Sequence, residues 1–572
     1  MSTITPAHPG FAVAGGAPDD IFEKPDQTFP RLPAEMVERV MRYGHLETFD
    51  GGAHLYRFGE RDFDFFLVLD GTVDALDNDG KGGNIVLMSY GAKQFSGELN
   101  LFSDRAALLS ARTLRPTQLI RVPRASFQRM VSAEPDIGEI ILRAYILRRA
   151  GMIRHAEGGT VLVGSLRSAD TLRIQSFLIR NGLPHRFLDS DTTPEAISAL
   201  EWFRPGEPSA LPIVIIDGKN ILHCPGNAEL ADALGITETV DPKRIYDVAV
   251  IGAGPAGLAA AVYAASEGLD TVVVEAIAPG GQAGSSSRIE NYLGFPTGIS
   301  GQMLAARAQV QAQKFGARLM IARSATALDC GDLPFRLALD DGASISASSV
   351  VVASGARYRR LDLAELSRFE GQGVHYAATS LEGGLCSGSD VVVVGGGNSA
   401  GQAAVFISGK ARHVHMLVRG NGLATTMSDY LVRRIENSTN ITLHLRSKVT
   451  GLLGEKYLEA VRWREDEKDV VLSISNLFLM IGAEPSTEWL NGCVALDEKG
   501  FVETGHLLRG EAATTPYATS IPGIFAVGDV RANSVKRVAS SVGEGSVVVH
   551  AIHCWLRGLA ARDGATYGVR TA

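Results

Sequence analysis

The chain has 572 residues, of which 63 are acidic and 55 basic, for a net charge of −8 at pH 7. Such a length is too great for one core and predicts three to four domains, while the acidic balance excludes general attraction to nucleic acid or anionic lipid. No apolar run approaches the ~20 residues of a membrane helix, and Cys224, Cys330, Cys386, Cys493 and Cys554 are scattered with no close pair, a pattern that predicts a reducing compartment with neither a disulfide framework nor a metal site. Residues 1 to about 30 are rich in Pro, Gly, Ala and Asp without periodicity and predict a mobile tail. Its opening, MSTITPAHPGFAVAGGAPDD, has no basic segment leading into an apolar one, so no signal peptide is expected and the cytoplasm is the predicted location. From about residue 31 to 155, short alternating strands (FFLVLDGTVDAL, NIVLMSYG, TQLIRV) separated by glycine turns lie between the helical stretches PAEMVERVMRYG and SAEPDIGEIILRAYILRRA. Strands at this spacing predict a small β-barrel or jelly roll.

Within that block stands GAKQFSGELNLFSDRAALLSARTL, which resembles the phosphate-binding cassette of cyclic-nucleotide-binding domains of the catabolite-activator type. The resemblance implies that Gly97, Glu98, Leu99, Arg105 and Ala106 hold a cyclic nucleotide. A helix start would present N–H groups to the phosphate, the arginine would neutralise it, and the glutamate would take a ribose hydroxyl. The loop between Glu98 and Arg105 is shorter than the family pattern, and Leu108 replaces a residue that often bears a hydroxyl. Ligand binding and a ligand-free contact role both remain open on the sequence. No helix-turn-helix pattern follows Ala150, which disfavours a transcription factor.

Residues 156 to 242 alternate strand and helix: TVLVGS, SADTLRIQSFLIRNG, PHRFLDSD, TPEAISALEWF, PIVIIDG and AELADALG. That order predicts an α/β layer. It resembles a thioredoxin or glutaredoxin fold in which Ser168 and Thr171 occupy the C-x-x-C positions and Pro212 the cis-proline position. The redox motif is empty, which favours a structural or docking role.

The third block opens with YDVAVIGAGPAGLAAAVYAASEGLDTVVVEA. An apolar strand runs into Gly252-x-Gly254-Pro255-Ala256-Gly257, a helix follows, and a second strand ends on Glu275. The glycines permit a tight turn, approach of a pyrophosphate and close helix packing, and the acid stands at the distance suited to a ribose hydroxyl. A second fingerprint, SDVVVVGGGNSAGQAAVFISGKARHVHMLVRG, places Gly395, Gly397, Asn398, Ser399 and Ala400 at the turn and Arg419 after the next strand. An arginine there suits a 2′-phosphate and favours NADPH over NADH, the bland alternative being a solvated charge at a strand end. Two nucleotide sites in one block predict two cofactors that exchange electrons.

From Tyr246 to about Leu556 the block resembles the low-molecular-weight thioredoxin reductases. The flavin-side loop around Gly281, Gln282 and Asn291, the crossing at Ser354-Gly355-Ala356, the return crossing LFLMIGAEPSTEWL, and TSIPGIFAVGDVRANSVKRVASSVGEGS all carry the likeness. The resemblance implies FAD in a discontinuous domain, 243–361 plus 492–572, NAD(P)H in an insertion at 362–491, and a homodimer. Gly528, Asp529, Arg537 and Val538 join the implied FAD set. The departure is GVHYAATSLEG, where Ala377 and Ser380 replace the two redox cysteines. Alanine can neither form nor resolve a flavin or disulfide adduct, and a serine hydroxyl is a far weaker nucleophile with no base evident beside Ser380, so classical thioredoxin reduction is excluded. Cys386 lies about two helical turns, of order 9 Å, beyond Ser380 and reads as a buried free thiol.

The fold class expected is therefore multidomain α/β: a cyclic-nucleotide-binding-like barrel, a thioredoxin-like layer and two Rossmann-like domains. Two functions fit. One is an FAD-dependent NADPH oxidoreductase that delivers electrons to an external acceptor, with ferredoxin- or flavodoxin-like proteins as one class and Tyr567 in the C-terminal tail as a flavin cover. The other is a flavin- or nucleotide-responsive sensor with little turnover.

Overall fold

The computed structural model describes residues 25–78, 83–155, 158–194, 211–423, 427–508 and 515–562. In the first block, short apolar strands build two antiparallel four-stranded sheets. One runs in the order His45–Phe49, Thr117–Val122, Phe65–Asp70, Phe95–Ser96, and the other His54–Tyr56, Ser110–Thr113, Val73–Asn78, Asn84–Tyr90. Their shared core is aromatic, with Phe65 stacked on Phe127 at 5.2 Å. The helical stretch after the sheets divides into Arg124–Ala133 and Pro135–His155, with Pro135 starting the second helix. Residues 1–24 of the expected tail lie outside the described residues. The rest of that expectation is corrected, because Pro25–Thr28 is helical and Phe29 packs under the Arg148 guanidinium at 5.5 Å. Phe29 and Leu32 find apolar cover that the surrounding Pro and Asp composition disguises.

The second block forms a four-stranded sheet ordered Arg186–Asp189, Thr160–Gly164, Ile213–Ile216, Asn220–His223. The first two strands are parallel and the last two pairings antiparallel. Helices Ala169–Arg180 and Asn227–Ala233 accompany it, and Leu211–Pro212 is cis. The helix expected at TPEAISALEWF lies almost wholly outside the described residues. This block is fastened to both neighbours. Asn78 donates to the Asp217 carbonyl at 3.0 Å on one side, and on the other Arg323 pairs with Asp232 at 2.7 Å while Asn181 donates to the Ile277 carbonyl at 3.2 Å.

The third block contains two parallel five-stranded sheets. The first is ordered Arg318–Ile321, Thr271–Glu275, Val248–Ile251, Val350–Val352, Ile524–Ala526, so its edge strand arrives from beyond the second sheet. The second is ordered Val374–His375, Leu477–Leu479, Asp390–Val394, His413–Leu417, Ile441–His444. Central strands buried on both faces read as unbroken valine-rich runs, which is why VAVI and DVVVV carry no alternation. The two crossings between the sheets, Ala356–Tyr358 and Ala483–Pro485, pair antiparallel and form a two-stranded hinge.

The scattered cysteines gave an expectation of no disulfide, and one pair overturns it. Cys330 and Cys493, 163 residues apart, are bonded with their Cα atoms 6.1 Å apart. The return crossing lays Cys493 against the strand Ala325–Asp329, with its sulfur 3.2 Å from the Leu328 carbonyl oxygen. Spacing along the chain cannot reveal a contact made by a discontinuous domain. Among the described residues no helix is long and apolar enough to cross a membrane, and no His/Cys/Asp/Glu group is arranged to hold a metal ion.

Candidate functional site

The strand Val248–Ile251 delivers the chain to Gly252, whose φ of +103° a side chain would resist. The helix Pro255–Ser266 then starts with Gly254 as its N-cap and Pro255 in its first turn, where a missing N–H costs nothing. Gly257 lies beneath the turn, where a β-carbon would stand 1.8 Å from the Gly252 carbonyl oxygen. Above it opens a cavity of about 400 Å³. Gly252, Gly254, Pro255 and Ala256 form one wall, and Gly281, Gln282 and Asn291 a second. Gly355 enters from the crossing, and Gly528, Asp529, Arg537 and Val538 from the C-terminal segment.

Glu275 lines this cavity while almost fully buried. Its Oε2 accepts from the Ala253 N–H at 2.8 Å, and Oε1 from Ile277 and Ala278 at 3.0 and 3.2 Å. Three backbone donors thus fix the carboxylate in place, with lone pairs to spare for a ribose hydroxyl. Burial pushes the Asp529 carboxyl above the usual range. Gln282 donates to the Ala356 carbonyl and so ties the flavin-side loop to the hinge. A glycine cradle, a helix N-terminus, a fixed acid and a second, half-buried acid fit a flavin dinucleotide.

The second fingerprint converges on the same place. Gly395, at φ +142°, turns the chain into the helix Asn398–Ser408 with Gly397 as N-cap and Ala400 buried below. Asn398 and Ser399 line the 400 Å³ cavity, joined by Gln402. Asn398 is oriented by the Ser428 N–H, which donates to its Oδ1 at 2.7 Å. Arg419 stands exposed just beyond the strand His413–Leu417. Sequence reasoning missed Gln402 and Tyr358, another lining residue. Gln402 follows Asn398 by one helical turn, so the spacing was a usable signal. Tyr358 ends a hinge strand and stacks at 6.4 Å on Tyr376, the neighbour of Ala377.

Ala377 and Ser380 lie outside the cavity lining, and Ser380 is exposed as the first residue of the helix Ser380–Leu385. Thr379 caps that helix in a capping box with Glu382, so the segment keeps its shape without cysteines. Cys386 is fully buried and its thiol is pushed up to about 12 by desolvation, which leaves no thiolate near neutral pH. In the second block, Ser168 caps the helix Ala169–Arg180 and lines an open crevice of about 1090 Å³ facing Gly371 and His375. Thr171 is buried beside Gly164 and Pro212. Tyr567 lies outside the described residues.

The cassette residues of the first block do not share one cavity. Gly97 and Glu98 line a space of only about 20 Å³, closed by Tyr56, Tyr90, Tyr145 and Met152. Glu98 pairs with Arg149 at 2.7 Å and accepts from the Leu108 N–H. Leu99 starts the short turn Leu99–Phe102. Arg105 and Ala106 lie outside the lining, and the Ala106 N–H donates to the Gly235 carbonyl at 3.0 Å. In this structure the five expected residues do not line one space, because Arg149 pairs with Glu98 while the Ala106 N–H is taken by the Gly235 carbonyl.

Comparison with known proteins agrees with this layout. The pyridine nucleotide-disulphide oxidoreductase family profile matches residues 246–545, and that of the cyclic nucleotide-binding domain matches residues 46–134. The chain is 33% identical over 306 residues to thioredoxin reductase of Mycoplasmopsis pulmonis, covering 53% of this chain and 95% of that protein. It is 30% identical over 321 residues to an NADH dehydrogenase of Bacillus subtilis, covering 56% of this chain and 60% of that protein. The crystal structure of T. acidophilum thioredoxin reductase superposes with a TM-score of 0.50 at 27% identity, covering 55% of this chain and 99% of that one.

Proposed function

This chain belongs to the pyridine nucleotide-disulphide oxidoreductase family, and from that premise we propose that it is an FAD-dependent NADPH oxidoreductase whose flavin delivers electrons to an external acceptor and not to an internal dithiol. The observation that carries the reading is the single cavity lined by both fingerprints, with Ala377 and Ser380 outside it. Bound FAD would accept hydride and release electrons singly or in pairs. This chain's residues do the positioning. The backbone around Gly252 and Gly254 cradles the pyrophosphate, Glu275 and Asp529 take hydroxyls, and the Asn398–Ser408 helix start presents N–H groups to the second nucleotide. Arg419 selects the 2′-phosphate, which is the basis for NADPH over NADH.

In this reading the first block is a cyclic-nucleotide-responsive domain. The second is a thioredoxin-like domain that lost its dithiol; its sheet order and Pro212 before an inner strand support that assignment. Its role is docking, since Arg180 donates to the Gly281 carbonyl at 3.2 Å. A protein electron carrier of ferredoxin or flavodoxin type is the proposed acceptor class, the cytoplasm the proposed location and a homodimer the proposed assembly. Tyr263, exposed at an apolar cavity of about 360 Å³, supplies a surface for a second copy.

The test is an anaerobic titration of the flavin-loaded protein with NADPH, with NADH for comparison. Rapid bleaching of the flavin band by NADPH is the expected result. Failure of both nucleotides to bleach it overturns the oxidoreductase and favours the sensor.

A further inference from the structure

Arg105 sits in a loop whose familiar work is to neutralise a phosphate, yet it turns toward the flavin domain. It is 4% exposed. The Gln309 amide, oriented with its oxygen toward the guanidinium, accepts from Nη1 and Nη2 at 2.9 and 2.8 Å. Its charge is opposed by that of Glu238, itself buried and receiving a hydrogen bond from Gln313 at 2.7 Å. Burial lowers the Arg105 pKa to about 10 and raises that of Glu238, so the pair is held at a desolvation cost. Around it, Thr239 donates to Asp104 at 2.9 Å and Arg61 to the Thr237 carbonyl at 3.1 Å.

Gln309 and Gln313 lie on the helix Gly301–Lys314. The N-terminus of that helix meets the flavin cavity: the Gly301 N–H donates to the Ser286 carbonyl at 2.9 Å, and Ser286 lines the cavity. One rigid element therefore touches the cassette at its middle and the flavin-side loop at its start. Meanwhile the small space behind Gly97 keeps unsatisfied cationic donors. Arg148 and Arg149 both line it, and Arg148 Nη2 and Arg149 Nε are buried without a hydrogen-bond partner. Such donors suit an anion, but at about 20 Å³ the space admits no nucleotide while Tyr145 and Met152 close it.

We propose that Arg105 has two mutually exclusive partners, the flavin-domain helix Gly301–Lys314 and the phosphate of a cyclic nucleotide, so that nucleotide binding undocks the cassette from that helix. The inference rests on reading the first block as a cyclic-nucleotide-binding domain, and it makes that domain a regulator of the flavin site. A nucleotide that binds only the undocked state pays for undocking, so weakening the clamp must raise its apparent affinity.

The experiment measures cyclic AMP and cyclic GMP binding by calorimetry to the full-length, flavin-loaded protein and to Gln309→Leu and Gln309→Glu. Leucine removes the acceptor of two charge-assisted hydrogen bonds, and nucleotide affinity is expected to rise about tenfold. Glutamate strengthens the hold, and affinity is expected to fall by a similar factor. Opposite shifts support the clamp, and the glutamate arm stands if the leucine variant fails to fold. Equal affinity in all three proteins, or no binding to any at millimolar nucleotide, overturns it. NADPH bleaching measured on the same samples reports separately on the oxidoreductase: its loss in the wild type sinks that reading and leaves the clamp result intact.

Discussion

The flavin-side fingerprint and the cyclic-nucleotide cassette are both phosphate-binding motifs at helix or turn starts, and the fold treats them differently. Gly252, Gly254, Pro255 and Ala256 wall an open cavity of about 400 Å³, whereas the cassette backs onto about 20 Å³ and sends its arginine elsewhere. The difference lies in what each motif is made of. The fingerprint works through backbone N–H groups placed by glycine turns, and backbone geometry is set locally. The cassette works through a long side chain, and a side chain goes where its best partners are. Gln309 of the flavin domain supplies the hydrogen-bond acceptor, and Glu238 of the second block the opposing charge.

If backbone placement governs the first motif, Gly257→Val should do the most damage. Its side chain would meet the Gly252 carbonyl at van der Waals overlap, and the purified protein is expected to retain under about a tenth of the wild-type flavin, read from visible absorbance. Full flavin occupancy would show that the turn is not the seat of binding.

Arg419 is the side-chain element of the second fingerprint. Replacing it with alanine is expected to raise the KM for NADPH about tenfold to a hundredfold while leaving NADH unchanged, since charge-assisted hydrogen bonds contribute about 1.5–3 kcal/mol. An equal change for both nucleotides would make it a solvated strand-end charge.

Asp529→Asn is expected to weaken FAD binding about tenfold. The pH dependence has a definite sign. The ionised carboxylate accepts a hydroxyl, and burial raises its pKa, so FAD affinity falls as pH drops through that raised value and is fully present above it. The asparagine variant should lose this dependence. An unchanged profile would remove Asp529 from the cofactor contacts.

The smallest effect is expected from restoring both cysteines with Ala377→Cys and Ser380→Cys. Neither position lines the flavin cavity, so the rate of NADPH bleaching should stay within about twofold of wild type. A large slowing would mean that the segment approaches the flavin during reduction.

Much of the flavin wall could be read from the sequence, because strand, glycine turn, helix and terminal acid follow one another within a short stretch and their geometry is local. The valine-rich runs at Val248–Ile251 and Asp390–Val394 likewise announced strands buried on both faces. What the tertiary structure alone decided are contacts between residues far apart in the chain. Cys330 finds Cys493 because the flavin domain is completed after a long insertion. Asn398, Ser399 and Gln402 reach the flavin cavity because the hinge strands set one nucleotide domain against the other. Arg105 abandons the ligand side of its cassette because a neighbouring helix offers an amide oxygen and a buried acid lies close by. Local backbone preference is written residue by residue, but the partner of a long or reactive side chain is chosen only when the domains meet.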